Sequence, residues 1–238
     1  MAKVLLAVVS ARHREHWRQA IRDTWKPLVK GAEVLFFVGR GEPYAFHEDV
    51  IQLDCDDSYF SLPSKVLAIA NWARIRFYDF ILKIDDDTVI NPELLLRSGF
   101  DAYPYSGRPN RKPTFTTPFW VPTGFCYWMD RQCMEHLSVE PLPKNNDDEF
   151  WVANCLYNHG IMLSHDRRYR LHTGEFPTDG PKRALRLPKD APVVDSAPAV
   201  GEFAWAIYLE SGANPRIPDP VKLEEFHKVF NRYVKVKQ

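Results

Sequence analysis

Over its first hundred residues the chain alternates continuous apolar runs with segments whose apolar residues recur every three or four positions. Lys3–Val9 (KVLLAVV), Glu33–Gly39 (EVLFFVG) and Phe80–Ile84 (FILKI) read as strands buried on both faces, with Val50–Leu53 a shorter one. Between them, His13–Trp25 sets Trp17, Ala20, Ile21 and Trp25 at helical spacing and meets Pro27 as a stop. Pro63–Phe77 places Val66, Ile69, Ala70 and Ala73 on one side of a second helix. Asn91-Pro92-Glu93 is a helix start: an Asn cap, Pro at the first helical position, and an acid facing the positive end of the dipole. The order β-α-β-β-α-β-α predicts an α/β fold with a mainly parallel central sheet flanked by helices.

The second half is less regular. Phe100–Pro122 is rich in proline and aromatic residues and predicts a loop region with an irregular hairpin. Asp130 opens a helix through Leu137, Pro141–Asn146 is a loop, and Asp147 caps a helix to Asn158 with Gly160 just past its end. Beyond Gly180 prolines punctuate the chain, and the next predicted element is a terminal helix over Val221–Tyr233.

With 238 residues, 45% of them hydrophobic, the chain buries a substantial core. Its 31 basic and 31 acidic residues balance, so no global field draws it to nucleic acid or an anionic membrane. The longest clean apolar run, Val4 to Val9, is far short of the roughly 20 residues that span a bilayer. Lys3 before Val4–Ala11 imitates a signal peptide, but the helix predicted next packs back onto this stretch, which reads as the first strand. Cys55, Cys126, Cys133 and Cys155 match no zinc spacing and predict buried thiols, with a Cys126–Cys133 bridge left open.

The candidate chemistry lies where the strand Phe80–Ile84 runs into Asp85-Asp86-Asp87. Open parallel sheets bind ligands at the carboxyl ends of their strands. Alternation sends Asp85 and Asp87 to one side and Asp86 to the other. Carboxylate oxygens suit Mn²⁺ or Mg²⁺, with a nucleotide diphosphate supplying further oxygens. The spacing alone carries little: Asp occurs 18 times, so about one Asp-x-Asp is expected by chance, and Asp54–Asp56 is a second instance. The buried strand in front of the triplet carries the inference, because three adjacent acids at a strand end are costly unless solvated or neutralised.

Five ordered blocks extend this reading. They are Ala20-Ile21-Arg22-Asp23-Thr24-Trp25, after a strand ending in Ser10; Phe36-Phe37-Val38-Gly39; Asp57-Ser58-Tyr59 with Leu62 and Lys65; Lys83-Ile84-Asp85-Asp86-Asp87-Thr88; and Pro122-Thr123-Gly124-Phe125 with Asp148-Glu149, Cys155-Leu156 and Gly160-Ile161. Over roughly residues 4–175 they resemble the inverting β-1,3-glycosyltransferases, which include β-1,3-galactosyl- and N-acetylglucosaminyltransferases and the Fringe proteins. The resemblance implies a GT-A fold, with a Rossmann-like nucleotide-binding half and an acceptor half. It also implies a UDP-sugar donor, Mn²⁺ or Mg²⁺, and inverting transfer to a hydroxyl-bearing acceptor, a glycan first. On this reading residues 1–178 are the catalytic domain and 179–238 an extension packed on it. Ser61, Pro63, Pro122, Glu149 and Ala153 depart from the family's usual Asn, Thr, Ser or Gly, Asp and Gly, which bears on sugar and acceptor identity.

Residue roles follow from the same resemblance. Glu149 is the general base, with Asp148 and Asp147 as rivals in the same turn, as base or as cap. Asp87 binds the metal, and Asp85 and Asp86 contact the ribose or the metal's waters. His172 is the late His ligand, with His165 second. Arg22, Asp57 and Lys65 resemble donor-site residues, Ser10 and Arg12 lie near the uracil, and Thr123-Gly124 lets the backbone approach the donor. Phe115, Phe119, Trp120 and Trp128 either stack on sugars or pack in the core.

Other functions remain to be set against this one. The basic run Arg167, Arg168, Arg170, Lys182, Arg183, Arg186 and Lys189 suits either a solvated surface or the phosphates of a nucleic-acid acceptor with a hydroxymethyl base. A metal-dependent nucleotidyltransferase or phosphohydrolase would use the same acids, although there is no Gly-x-x-x-x-Gly-Lys loop. A non-catalytic sugar-binding module would keep only the fold. Animal members of the family are held in the Golgi by an N-terminal anchor. With Met1 directly before Ala2-Lys3, a cytoplasmic enzyme is expected here, against a lumenal domain with its anchor removed.

Overall fold

The computed structural model describes residues 2–41, 47–110, 117–142, 147–166, 169–172, 204–207 and 219–234; for 169–172, 204–207, 219–222 and 233 it is the backbone course that is described. Strand β1 (Val4–Val9) is buried at all six positions. Its alternate residues face two separate cores, which is why the run is continuously apolar rather than alternating. Leu6 and Val8 pack with Trp17, Ile21 and Trp25 of the first helical region, α1 (Glu15–Asp23) and its exit. Leu5, Ala7 and Val9 pack on the opposite face with Val66, Ile69 and Ala73.

The chain continues through β2 (Glu33–Val38), β3 (Val50–Gln52), α2 (Leu62–Ile75) and β4 (Phe80–Asp85). After β4 come β5 (Thr88–Ile90) and the short α3 (Pro92–Leu96), whose Asn91 cap accepts from the Leu94 N–H at 3.2 Å. Strands β6 (Tyr105–Asn110) and β7 (Val121–Asp130) form a hairpin, with a register shift between Gly107 and Pro109. Two more helices follow, α4 (Arg131–Leu137) and α5 (Asp148–Asn158), capped by Asp130 and Asp147 as their sequences predict. The rest comprises β8 (Ser164–His165), β9 (Tyr169–His172), β10 (Ala204–Ile207) and α6 (Asp219–Tyr233).

Seven strands form the main sheet in the order β3-β2-β1-β4-β7-β6-β8. The β3-β2-β1-β4 half is parallel, and β7 runs antiparallel to both β4 and β6. The chain leaves β1 toward β2 on one side and returns to β4 on the other, so the space between β1 and β4 is a topological switch point, where α/β sheets open a ligand crevice. The mainly parallel α/β expectation therefore holds. Strands β5, β7, β8, β9 and β10 lie where the sequence pattern shows none. Residues 121–130 form one ten-residue strand, and β5 starts directly after Asp87.

A small sheet, β5-β10-β9, sits beside the acid triplet, with Ala206 opposite Thr88 and Ile207 opposite His172. Helix α6 closes the α1 face through Phe226, Val229 and Phe230, joined by Val234 just past its end, so this segment shares the main core. All four cysteines are free and buried, as expected of thiols without a bridge. No helix among the described residues is long and apolar enough to cross a membrane.

Candidate active site

The site begins at the exit of β1. The Ser10 hydroxyl donates to Asp86 Oδ2 at 2.7 Å and accepts from Arg18 Nη1 at 2.9 Å, inside the protein. Arg14 closes on the same carboxylate from Nε, 2.8 Å from Oδ2, and from Nη2, 2.7 Å from Oδ1. It also stands 3.8 Å from Asp87. Asp86 is thus buried and bound to the β1 exit, while Asp85 and Asp87 keep side-chain exposures of 38% and 28%. The strand alternation read from the sequence appears here as one acid turned inward and two toward solvent.

Asp57 gathers a second junction. Its carboxylate accepts the N–H groups of Arg12 and Gly39, each at 2.6 Å, and the Lys65 ammonium at 2.8 Å. Lys65 also donates to the Ser10 carbonyl at 2.7 Å. A Cβ on Gly39 would stand 2.6 Å from the Asp57 backbone, so glycine is what lets the β2 exit approach this closely. Asp57 and Lys65 therefore fix the walls of the crevice from within. Lys65, only 2% exposed, spends its charge inside the protein on these two loops. Arg22 is not brought to the acids: its guanidinium pairs with Asp49 at 2.9 Å and Glu15 at 2.6 Å and lies over the Phe36 ring.

On the far side of β4, Lys83 is 97% buried and joins three elements. It donates to Asp85 Oδ1 at 2.6 Å and to the Gly124 carbonyl, and stands 3.7 Å from Asp148 Oδ2. Burial opposes its charge, but Asp85, Asp148 and Glu149 outweigh burial and raise its pKa above the ordinary lysine value. Asp148, buried in the first turn of α5, is shifted upward chiefly by desolvation, with Lys83 pulling the other way. Asp147 is the cap, accepting from the Phe150 N–H at 2.9 Å.

Glu149 stands apart from both neighbours. It is half-buried, and its Oε1 lies 1.8 Å from where a Cβ on Gly124 would be. The residue that the sequence marks for close backbone approach is thus the seat of the carboxylate marked as base. Thr123, beside it, donates from Oγ1 to the Arg108 carbonyl at 3.2 Å.

The expected ligands divide as follows. His165 is buried in β8 with its ring edge-on to Trp120, ring centroids 5.4 Å apart. His172 ends β9, one strand away from the β5 that leaves Asp87, and its side chain lies outside the described residues. Among the described residues no three His, Cys, Asp or Glu groups converge as a metal cluster. Trp128 is core, stacked on Phe100 at 3.9 Å, and Phe119 packs against Phe150 and Tyr157. Phe115 and the basic run, apart from the backbone of Arg170, lie outside the described residues. A cavity of about 650 Å³ bordered by Pro27, Asn91, Glu93 and Val234 includes none of Asp85, Asp86, Asp87, Asp148 and Glu149.

Three side chains that sequence reasoning did not single out as site residues hold this arrangement: Arg14, Arg18 and Lys83. A signal was present. Arg14 and Arg18 are four residues apart at the start of a helix that follows a buried strand, a spacing that stacks them over the strand's exit.

Known proteins resemble this chain in sequence and in fold. Residues 16–100 match the family model described as galactosyltransferase. A probable β-1,3-galactosyltransferase 13 of Arabidopsis thaliana is 29% identical over 127 residues, covering 42% of this chain and 37% of that protein. β-1,3-Galactosyltransferase 4 is 31% identical over 108 residues in Mus musculus and 30% over 136 in Homo sapiens, covering 39% and 46% of this chain. The chain spans 29–37% of the length of these relatives. The solved galactosyltransferase LgtC, in complex with donor and acceptor sugar analogues, superposes with a TM-score of 0.50 at 10% identity, covering 96% of this chain and 95% of that one. The fold is accordingly GT-A, and residues 16–100 are similar to the galactosyltransferase family.

Proposed function

We propose that this protein transfers a hexose or N-acetylhexosamine from a UDP-sugar to a glycan hydroxyl, with inversion and in β-1,3 linkage. The observation that carries the reading is the seating of Glu149 on Gly124, in the same frame that holds Asp85 through Lys83. A base and a nucleotide-binding acid fixed in one frame are what an in-line displacement needs.

The residues divide the work. The exits of β1 and β2, fixed by Asp57 and Lys65, would wall the uridine, with Ser10 and Arg12 nearest to it. Asp87 and Asp85 offer outward-facing carboxylate oxygens, a donor set that suits Mn²⁺ or Mg²⁺, and His172 would complete it. Such an ion, when bound, offsets the charge of the diphosphate leaving group. Glu149 would accept the proton of the acceptor hydroxyl as that oxygen bonds to the anomeric carbon and the bond from that carbon to the diphosphate oxygen breaks, releasing UDP. Attack from the face opposite the leaving group inverts the anomeric centre.

The test is a donor screen with Mn²⁺, measuring UDP release from UDP-Gal, UDP-GlcNAc, UDP-Glc and UDP-GalNAc across a panel of glycan acceptors. Acceptor-dependent release from one of them supports the reading, and none from any overturns it.

A further inference from the structure

Resting on the transferase reading above, we propose that Lys83 is a positioning residue, whose buried ammonium fixes the base-bearing turn of α5 against the nucleotide-holding end of β4. An ammonium inside a sheet is costly unless its charge and protons are matched. Here the matching groups come from three elements: Asp85 at the end of β4, the Gly124 carbonyl on β7, and Asp148 in the first turn of α5.

Each contact bears on a different part of the chemistry. Asp85 belongs to the acid triplet. Gly124 is the residue on which Glu149 sits, so the bond to its carbonyl fixes the floor of that seat. Asp148 precedes Glu149, and its Oδ2 accepts no hydrogen bond among the described residues, which leaves the Lys83 charge to hold it. A hydrocarbon at position 83 would fill the same space against Tyr127, whose ring lies 5.7 Å from the ammonium, but would tie none of these groups together.

The experiment compares the parent with Lys83→Met, Asp148→Asn, and the double variant Lys83→Met/Asp148→Asn. Lys83→Met is expected to lower both Tm and kcat, the latter about a hundredfold, with donor KM within about threefold, because the donor site survives while the base is displaced. The double variant leaves no unpaired buried charge, so its Tm recovers while kcat stays low. A lysine that merely supports the fold would return kcat together with Tm, and that result overturns the proposal. Asp148→Asn alone keeps Lys83 paired with Asp85 and should still reduce kcat about tenfold; an unchanged kcat also overturns it. Crystal structures of parent and double variant test the idea without turnover. Displacement of the Glu149 carboxylate from Gly124 by about 1 Å or more is expected, and an unmoved carboxylate contradicts it. A parent that uses no donor would sink the transferase reading, while the crystallographic comparison would still decide the role of Lys83.

Discussion

The carboxylate of Glu149 occupies the space that a side chain on residue 124 would need, with Oε1 at 1.8 Å and Cδ at 2.6 Å from the position of a Cβ. Gly124→Ala must therefore push the carboxylate aside. The displaced group is the end of a flexible side chain, so the fold should absorb the change with little loss of Tm. Turnover should fall about a hundredfold, since a displacement of roughly 1 Å at a reacting group has that effect. Steady-state kinetics beside a thermal melt checks this; a large loss of Tm with kcat per folded molecule intact would contradict it.

Asp57→Ala removes the acceptor shared by Arg12, Gly39 and Lys65 and leaves the Lys65 ammonium buried with the Ser10 carbonyl alone among these partners. Breaking one side of a buried ion pair costs about 3–5 kcal/mol. Urea denaturation should show a loss in this range. The companion Asp57→Ala/Lys65→Met should recover part of it, because no lone charge remains.

Stability at low pH should depend on Asp49. Burial alone would raise its pKa, but Arg22 and Lys26 outweigh burial and hold it at about 2, below the ordinary 3.8. A lowered pKa in the folded state means that the stabilisation is complete above the ordinary value and is lost as pH falls through the window from 3.8 to about 2. In urea titrations the gap between parent and Asp49→Asn should be widest near neutrality and narrow through that window. A gap independent of pH would contradict the assignment.

Asp87→Ala should abolish Mn²⁺-dependent binding of UDP, measured by calorimetry, with Tm nearly unchanged because this carboxylate is partly solvated at the strand end. UDP affinity that remains equally dependent on Mn²⁺ would remove Asp87 from the donor site.

Legibility in the sequence follows how local the determining chemistry is. Asn91, Asp130 and Asp147 could be read as caps because a cap is a contact across three residues. The parallel strands could be read because two covered faces require continuous apolar runs. Strand β7 could not: Pro122, Thr123 and Gly124 open it, and its pairing with β4 and β6 is a long-range fact. Arg22 and Lys65 resemble donor-site residues, and in the fold their charges are matched inside the protein by Asp49, Glu15 and Asp57. A motif shows that a charge matters without showing what it faces. Lys83 lies in the block that carries the acid triplet but reads as a strand residue until β7 and α5 are folded against it.

The central claim is that Glu149 takes the acceptor's proton while the acids at the end of β4 hold the donor. The most direct measurement is acceptor-dependent UDP release by Glu149→Gln beside the parent, with Mn²⁺ and the preferred donor, together with calorimetric UDP binding. The account predicts parent-like UDP affinity and turnover reduced by at least about a hundredfold, the usual scale for losing a general base. Turnover by Glu149→Gln equal to that of the parent would contradict it.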